Sequence, residues 1–204
     1  DSENEQMTGN LIVKNAAEIA TPRGRSARAG ASMAALEVIS DGAVVVEGGT
    51  ITRVGPTAQV MADLRAAGVD LSTYDTVDAT GKAVLPGFVD SHTHLVFGGY
   101  RADEFAWRLK GDSYMDILQR GGGILSTVAA TRSAAREDLV RSGLKRLDSM
   151  LAFGVTTVEA KSGYGLDRAT EIKQLEVMAD LNRLHPPDVE PTFMGAHAVP
   201  PNFK

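Results

Sequence analysis

Two rhythms of hydrophobic and polar residues divide this chain near residue 85. Before it, short apolar runs are separated by turn residues. After it, strand-like runs alternate with helical stripes. In the first part, Leu11-Ile12-Val13 is a short apolar run. The β-branched runs at residues 43–47 and 50–54 flank Gly48-Gly49, a pair that tolerates positive φ, and so predict a hairpin. Residues 58–67 predict a short helix stopped by Gly68, and Thr76-Val77-Asp78 followed by residues 81–84 predicts another strand pair. Residues 21–32 hold Pro22, two glycines and three arginines but little to bury, and predict a loop. Arg23, Arg25 and Arg28 read there as solvated side chains in preference to an anion site.

In the second part an apolar run predicts a strand from Val84 to His94, with Pro86 and Gly87 inside it. A long connection follows over residues 95–126, with Gly98-Gly99 and Gly121-Gly122-Gly123, holding one or two short helices of which 114–120 is the clearer. Connections of that length inside a domain usually carry function. Residues 133–153 predict a helix with Leu139, Val140, Gly143, Leu144, Leu147, Met150 and Leu151 as its apolar stripe, ended by Gly154. A second strand spans 155–161 and leaves through Ser162-Gly163-Tyr164-Gly165. Asp167 can cap a helix to residue 184, with Ile172, Leu175, Ala179 and Asn182 along one face. A third strand spans 189–194.

Strand–helix alternation predicts an α/β fold, a parallel sheet with its site at the strand C-terminal ends. His92, His94, Lys161, Tyr164 and His197 all fall at such ends. A complete TIM-type (β/α)8 barrel takes about 250 residues. The 204 residues are therefore expected to hold a disordered tail (1–9), a small β module (10–84) and the first units of an incomplete barrel (85–204), as the N-terminal part of a longer protein.

The chemistry centres on residues 92 and 94. Side chains at i and i+2 of a strand share a side. His92 and His94 would then project together as half of a site for zinc or another divalent ion, with Asp90 placed to orient a ligand. The alternative is a strand end with two partly exposed histidines. A net charge of −5 argues against nucleic acid as a partner. The lack of cysteine excludes thiolate zinc sites and fits a reducing compartment such as the cytoplasm. No apolar run approaches the roughly 18 residues of a membrane span, and the acidic N-terminus lacks the features of a signal peptide.

Leu85-Pro86-Gly87-Phe88-Val89-Asp90-Ser91-His92-Thr93-His94 resembles the metal-binding signature of the amidohydrolase superfamily. The stretches 94–101, 121–128, 153–165 and 195–201 resemble more narrowly the imidazolonepropionase family. The resemblance runs from residue 42 to the C-terminus and is specific from Leu85 onward. It implies a metal-dependent cyclic amidase with a distorted eightfold barrel beside a small β-sandwich completed by C-terminal strands. Such enzymes open 4-imidazolone-5-propanoate to N-formimino-L-glutamate with one zinc or iron ion. It further implies that His92 and His94 are metal ligands and that Arg101, Tyr114, Tyr164 and His197 contact substrate. The family's remaining ligands and its catalytic carboxylate would lie beyond Lys204, so this chain alone is expected to be inactive. A homodimer is expected for the full-length protein.

The residue types agree with those roles. An arginine fork suits the substrate's propionate, a phenol between two glycines can donate to substrate, and a strand-end histidine can hydrogen-bond a ring carbonyl or relay a proton. Each also has another reading: a surface arginine, a loop-packing tyrosine, and for His197 a metal ligand of a different amidohydrolase or a satisfied core histidine. His185, beside two prolines, reads as structural. Lys161 occupies a position where two-metal relatives carry a bridging carboxylated lysine, but pairing with Glu159 is the favoured reading. Two other functions stay open: a different amidohydrolase, dihydropyrimidinase-like or a deaminase, and a catalytically dead barrel serving as a binding module.

Overall fold

The computed structural model describes residues 9–22, 24 and 26–199. Most of the expected N-terminal tail, Arg23, Arg25 and Pro200-Pro201 lie outside the described residues. The chain divides into two compact units, Asp1–Pro86 and Gly87–Lys204.

The first unit is one mixed sheet. Strand β1 (Leu11–Pro22) pairs antiparallel with β2 (Leu36–Glu47), and β2 pairs antiparallel with β3 (Thr50–Pro56). The β2–β3 hairpin turns at Gly48 and Gly49, with φ of 56° and 79°. Strands β4 (Asp75–Asp78) and β5 (Ala83–Val84) do not pair with each other as expected; both run parallel to β1. Strand β1 is far longer than its apolar start, reaching into the predicted loop. A bulge at Asn15, φ 60°, shifts its register with β2 between Val13 and Ala16. One core cluster gathers Ile12, Ala43 and Val45 under helix α1 (Thr57–Ala66), through Val60 and Leu64. A second gathers Ala16, Ile19 and Ala79. The described residues thus form one sheet with a helix, and no two facing sheets. Leu36, Val38, Ile51 and Val77 remain exposed on it.

The second unit is built on three parallel strands in chain order: β6 (Phe88–Thr93), β7 (Val155–Lys161) and β8 (Asp188–Thr192). The apolar run from Val84 is not a single strand. Val84 pairs with Ile19 in the first unit, and β6 begins only at Phe88, after Pro86 and Gly87 interrupt the run. Helices α2 (Ala102–Leu109), α3 (Tyr114–Gln119), α4 (Ile124–Ser133) and α5 (Arg136–Ala152) connect β6 to β7, and α6 (Arg168–Leu184) connects β7 to β8. Helix α3 starts in a capping box between Ser113 and Asp116. The predicted helix over 133–153 begins at Arg136, because Ala134 and Ala135 are extended. The carbonyls of Thr131, Arg132 and Ala134 at that break accept from the Lys173 ammonium at 3.0, 3.1 and 2.8 Å.

Leu139 and Leu147 of α5 pack with Val177, Met178 and Leu181 of α6 over Val158, Ala160 and Val189 of the sheet. The buried face of α6 is Thr170, Glu171, Gln174, Val177, Met178 and Leu181. The predicted face is displaced from it: Ile172 is 42% exposed, and Ala179 and Asn182 are exposed too. The cause is that two polar residues, Glu171 and Gln174, take inward positions. No helix among the described residues is long and apolar enough to cross a membrane.

Candidate functional site

The exits of the three parallel strands bring the candidate residues together. His94 lies one residue past β6, whose register with β7 is irregular between Asp90 and Thr93. Thr93 turns toward β7 and donates its hydroxyl to the Glu159 carbonyl at 2.6 Å. The His94 ring is half-buried, with its centroid 4.6 Å from that of Tyr164 and 4.7 Å from that of His197. Tyr164 and His197 stand edge-on at 5.8 Å. Three aromatic rings from three strand exits thus form one cluster. His92 is exposed, and its backbone N–H reaches the Asp90 carboxylate at 3.4 Å.

Burial first, and then the neighbouring His197, push the His94 imidazole below its ordinary pKa, against backbone hydrogen bonds that favour the charged form. The shift favours the neutral ring, which is the form that binds a metal. Among the described residues the buried His94 Nδ1 has no hydrogen-bond partner, although a buried polar atom normally has one. An unpartnered nitrogen on a neutral imidazole suits a metal ligand, so His94 fits a divalent ion. No group of three or more histidine, aspartate or glutamate side chains comes together for a metal among the described residues.

Tyr164 owes its position to its neighbours. Gly163, at φ 110°, sits so close that a Cβ would lie 2.8 Å from the His197 Cβ, and a Cβ on Gly165 would lie 2.7 Å from the Glu171 backbone nitrogen. Only glycines allow the loop to pass between the β8 exit and the start of α6. Arg132 holds the same loop: its Nε donates to the Gly165 carbonyl at 2.7 Å, and its guanidinium pairs with the Asp167 carboxylate at 2.8 Å. Ser162 ties the β7 exit to β8: its N–H donates to the Thr192 carbonyl and its Oγ accepts from Met194, each at 2.9 Å.

Arg101 and Tyr164 line one pocket of about 180 Å³ with Phe97, Tyr100 and Thr127. Arg101 precedes α2, is exposed, and approaches the Glu104 carboxylate at 3.9 Å. Glu104 is buried and accepts from the Gly123 N–H at 2.7 Å. The Arg146 guanidinium lies 3.6 Å from the Phe97 ring centre and donates to the Leu95 carbonyl at 2.8 Å, which fixes the β6 exit. Tyr114, in the first turn of α3, is 56% exposed and makes no described contact with Arg101, Tyr164 or His197. Lys161 pairs with Glu159, whose other oxygen accepts from the Thr192 hydroxyl at 2.8 Å. That lysine amine is engaged by the carboxylate. His185 contacts Asp148 at 3.1 Å, away from the cluster.

The sequence reading missed Glu104, Glu171, Gln174 and Arg146. One signal was available for Glu171: an acidic residue in the first turn of a helix that follows a glycine-rich loop, where backbone N–H groups are free to bind it.

Residues 75–123 match the family model described as Amidohydrolase family. Curated imidazolonepropionases match nearly the whole chain. That of Parabacteroides distasonis is 55% identical over 193 residues, which is 95% of this chain and 45% of the relative. The chain therefore spans about half the length of the curated relatives it matches. Among solved structures, E. coli guanine deaminase superposes with a TM-score of 0.57 at 17% identity, over 85% of this chain and 34% of that one. An atrazine chlorohydrolase from Arthrobacter aurescens TC1, complexed with zinc, gives 0.56 at 17% identity, over 90% and 35%. Likeness at that identity speaks to the fold alone.

Proposed function

The chain is a relative of the imidazolonepropionases of the amidohydrolase superfamily, and from that premise we propose that the whole protein hydrolyses the cyclic amide of 4-imidazolone-5-propanoate to N-formimino-L-glutamate. The observation that carries the reading is the meeting of His94, Tyr164 and His197 at three strand exits. The pocket shared by Arg101 and Tyr164 adds to it.

His92 and His94 would hold one divalent ion, zinc or iron. Imidazole donors suit either. When bound, such an ion supplies an activated water of pKa about 7 and polarises the scissile carbonyl. The remaining ligands, a histidine and an aspartate, and the catalytic carboxylate are assigned to sequence outside this chain. Within it, the Arg101 guanidinium binds the substrate's propionate through parallel N–H···O bonds. The Tyr164 hydroxyl donates to the carboxylate or the ring, and His197 hydrogen-bonds the ring carbonyl. Tyr114 joins the substrate contacts on resemblance alone, since its phenol has no described contact with the cluster. The incomplete barrel becomes whole, and the first unit's sheet becomes a sandwich, through strands supplied by the rest of the protein. A cytoplasmic homodimer remains the expected setting.

The test is turnover of 4-imidazolone-5-propanoate by the whole protein, followed as loss of imidazolone absorbance. Stripping the metal should abolish turnover and adding back zinc or iron should restore it. Undiminished turnover by metal-free protein, or none by metal-replete protein, would contradict the proposal.

A further inference from the structure

We propose that Gln174, helped by Glu171, is a positioning residue that fixes the Tyr164 loop against the exit of β6. The proposal rests on the reading of Tyr164 as a substrate contact. Gln174 is fully buried in the middle of α6. A primary amide in that setting is costly unless both of its ends are paired. Its Nε2 donates to the Val96 carbonyl at 2.8 Å, and its Oε1 accepts from the Tyr164 N–H at 3.3 Å. Only one orientation of the amide satisfies both partners. Val96 lies just past His94, so a single side chain spans the two segments whose rings stack 4.6 Å apart.

Glu171 occupies the same buried face, one turn earlier. Its Oε1 accepts from Gly165 and Leu166 at 2.8 and 2.9 Å, and its Oε2 from Gly163 at 2.9 Å. Every backbone N–H from Gly163 to Leu166 is thus held by a side chain of α6. Leu166 is kept at φ 53°, a conformation a non-glycine residue seldom adopts unaided. An apolar residue at 174 could fill the same space. What the amide adds is a fixed height for Tyr164 relative to the strand that carries His94. Neither Gln174 nor Glu171 faces the aromatic cluster as a reacting group; both act through the loop.

The experiment is a double-mutant cycle in the whole enzyme with 4-imidazolone-5-propanoate. Gln174→Met and Tyr164→Phe should each lower kcat/KM by about tenfold or more, and the double variant should lose no more than the worse single one, because the first acts through the second. Metal content by elemental analysis should be unchanged. Glu171→Gln, which keeps one acceptor oxygen, should show a smaller loss with the same non-additivity. Deuterium uptake should rise in peptides covering residues 95–98 and 162–166 of Gln174→Met. Losses that multiply, or a silent Tyr164→Phe beside an impaired Gln174→Met, would overturn the proposal. So would unchanged uptake in those peptides. If the wild-type enzyme ignores the imidazolone, the functional reading fails, and the exchange measurement still decides whether Gln174 holds the loop.

Discussion

At Arg101 the guanidinium stands 3.9 Å from the Glu104 carboxylate, too far for a strong hydrogen bond, and its fork stays available to another carboxylate. A charge-assisted contact to the propionate is worth about 1.5–3 kcal/mol. Arg101→Ala should therefore lower kcat/KM roughly tenfold to a few hundredfold while leaving bound metal intact. Arg101→Lys should recover only part of that, because an ammonium cannot copy the fork. For an imidazolone lacking the propionate the loss should nearly vanish, and steady-state kinetics on both compounds measure this. Equal slowing of the two would remove Arg101 as the carboxylate clamp. At this scale the sequence marked His94, Tyr164 and His197 by their places at predicted strand ends, and the structure brings their three rings together. The sequence hid those that hold them in place. Gln174 and Glu171 are polar residues on an amphipathic helix, and any reading by hydrophobic period assigns such residues to the solvent side.

Among the elements, α5 and α6 show what the pattern conveys and where it misleads. The stripe on α5 was legible in its centre, since Leu139, Gly143 and Leu147 are buried and apolar or small, although Leu151 at its end is exposed. On α6 the inward polar pair displaced the expected face. Gly143 marks the contact between the helices. A mid-helix glycine ordinarily costs about 0.5–1 kcal/mol relative to alanine, so alanine would normally stabilise. Here an added Cβ would lie 2.5 Å from Leu181 Cδ1 and 3.2 Å from its Cγ, and Leu181 is fully buried. Overpacking of this kind costs about 1–3 kcal/mol, which outweighs the propensity gain. Gly143→Ala should lower the thermal midpoint of the whole protein, whereas a rise would mean that Leu181 has room to turn away. The break between α4 and α5 was not legible, because Lys173, which binds the carbonyls there, comes from a distant part of the sequence.

On the scale of the molecule, alternating strands and helices identified a parallel sheet, and the order β6-β7-β8 places its exits side by side. The first unit was harder to read. Its short strands β4 and β5 both add to β1, a partner far away in sequence that no local pattern specifies. Of the two histidines proposed as ligands, His92 is exposed, and His94 has its Nδ1 buried and without a partner among the described residues. Those two imidazoles either hold the ion on which turnover depends or they do not. The most direct measurement is elemental analysis and steady-state turnover of 4-imidazolone-5-propanoate on the same preparation of full-length His92→Ala protein. Metal and activity should be lost together. Full metal occupancy with a near-normal rate in that variant would contradict the account.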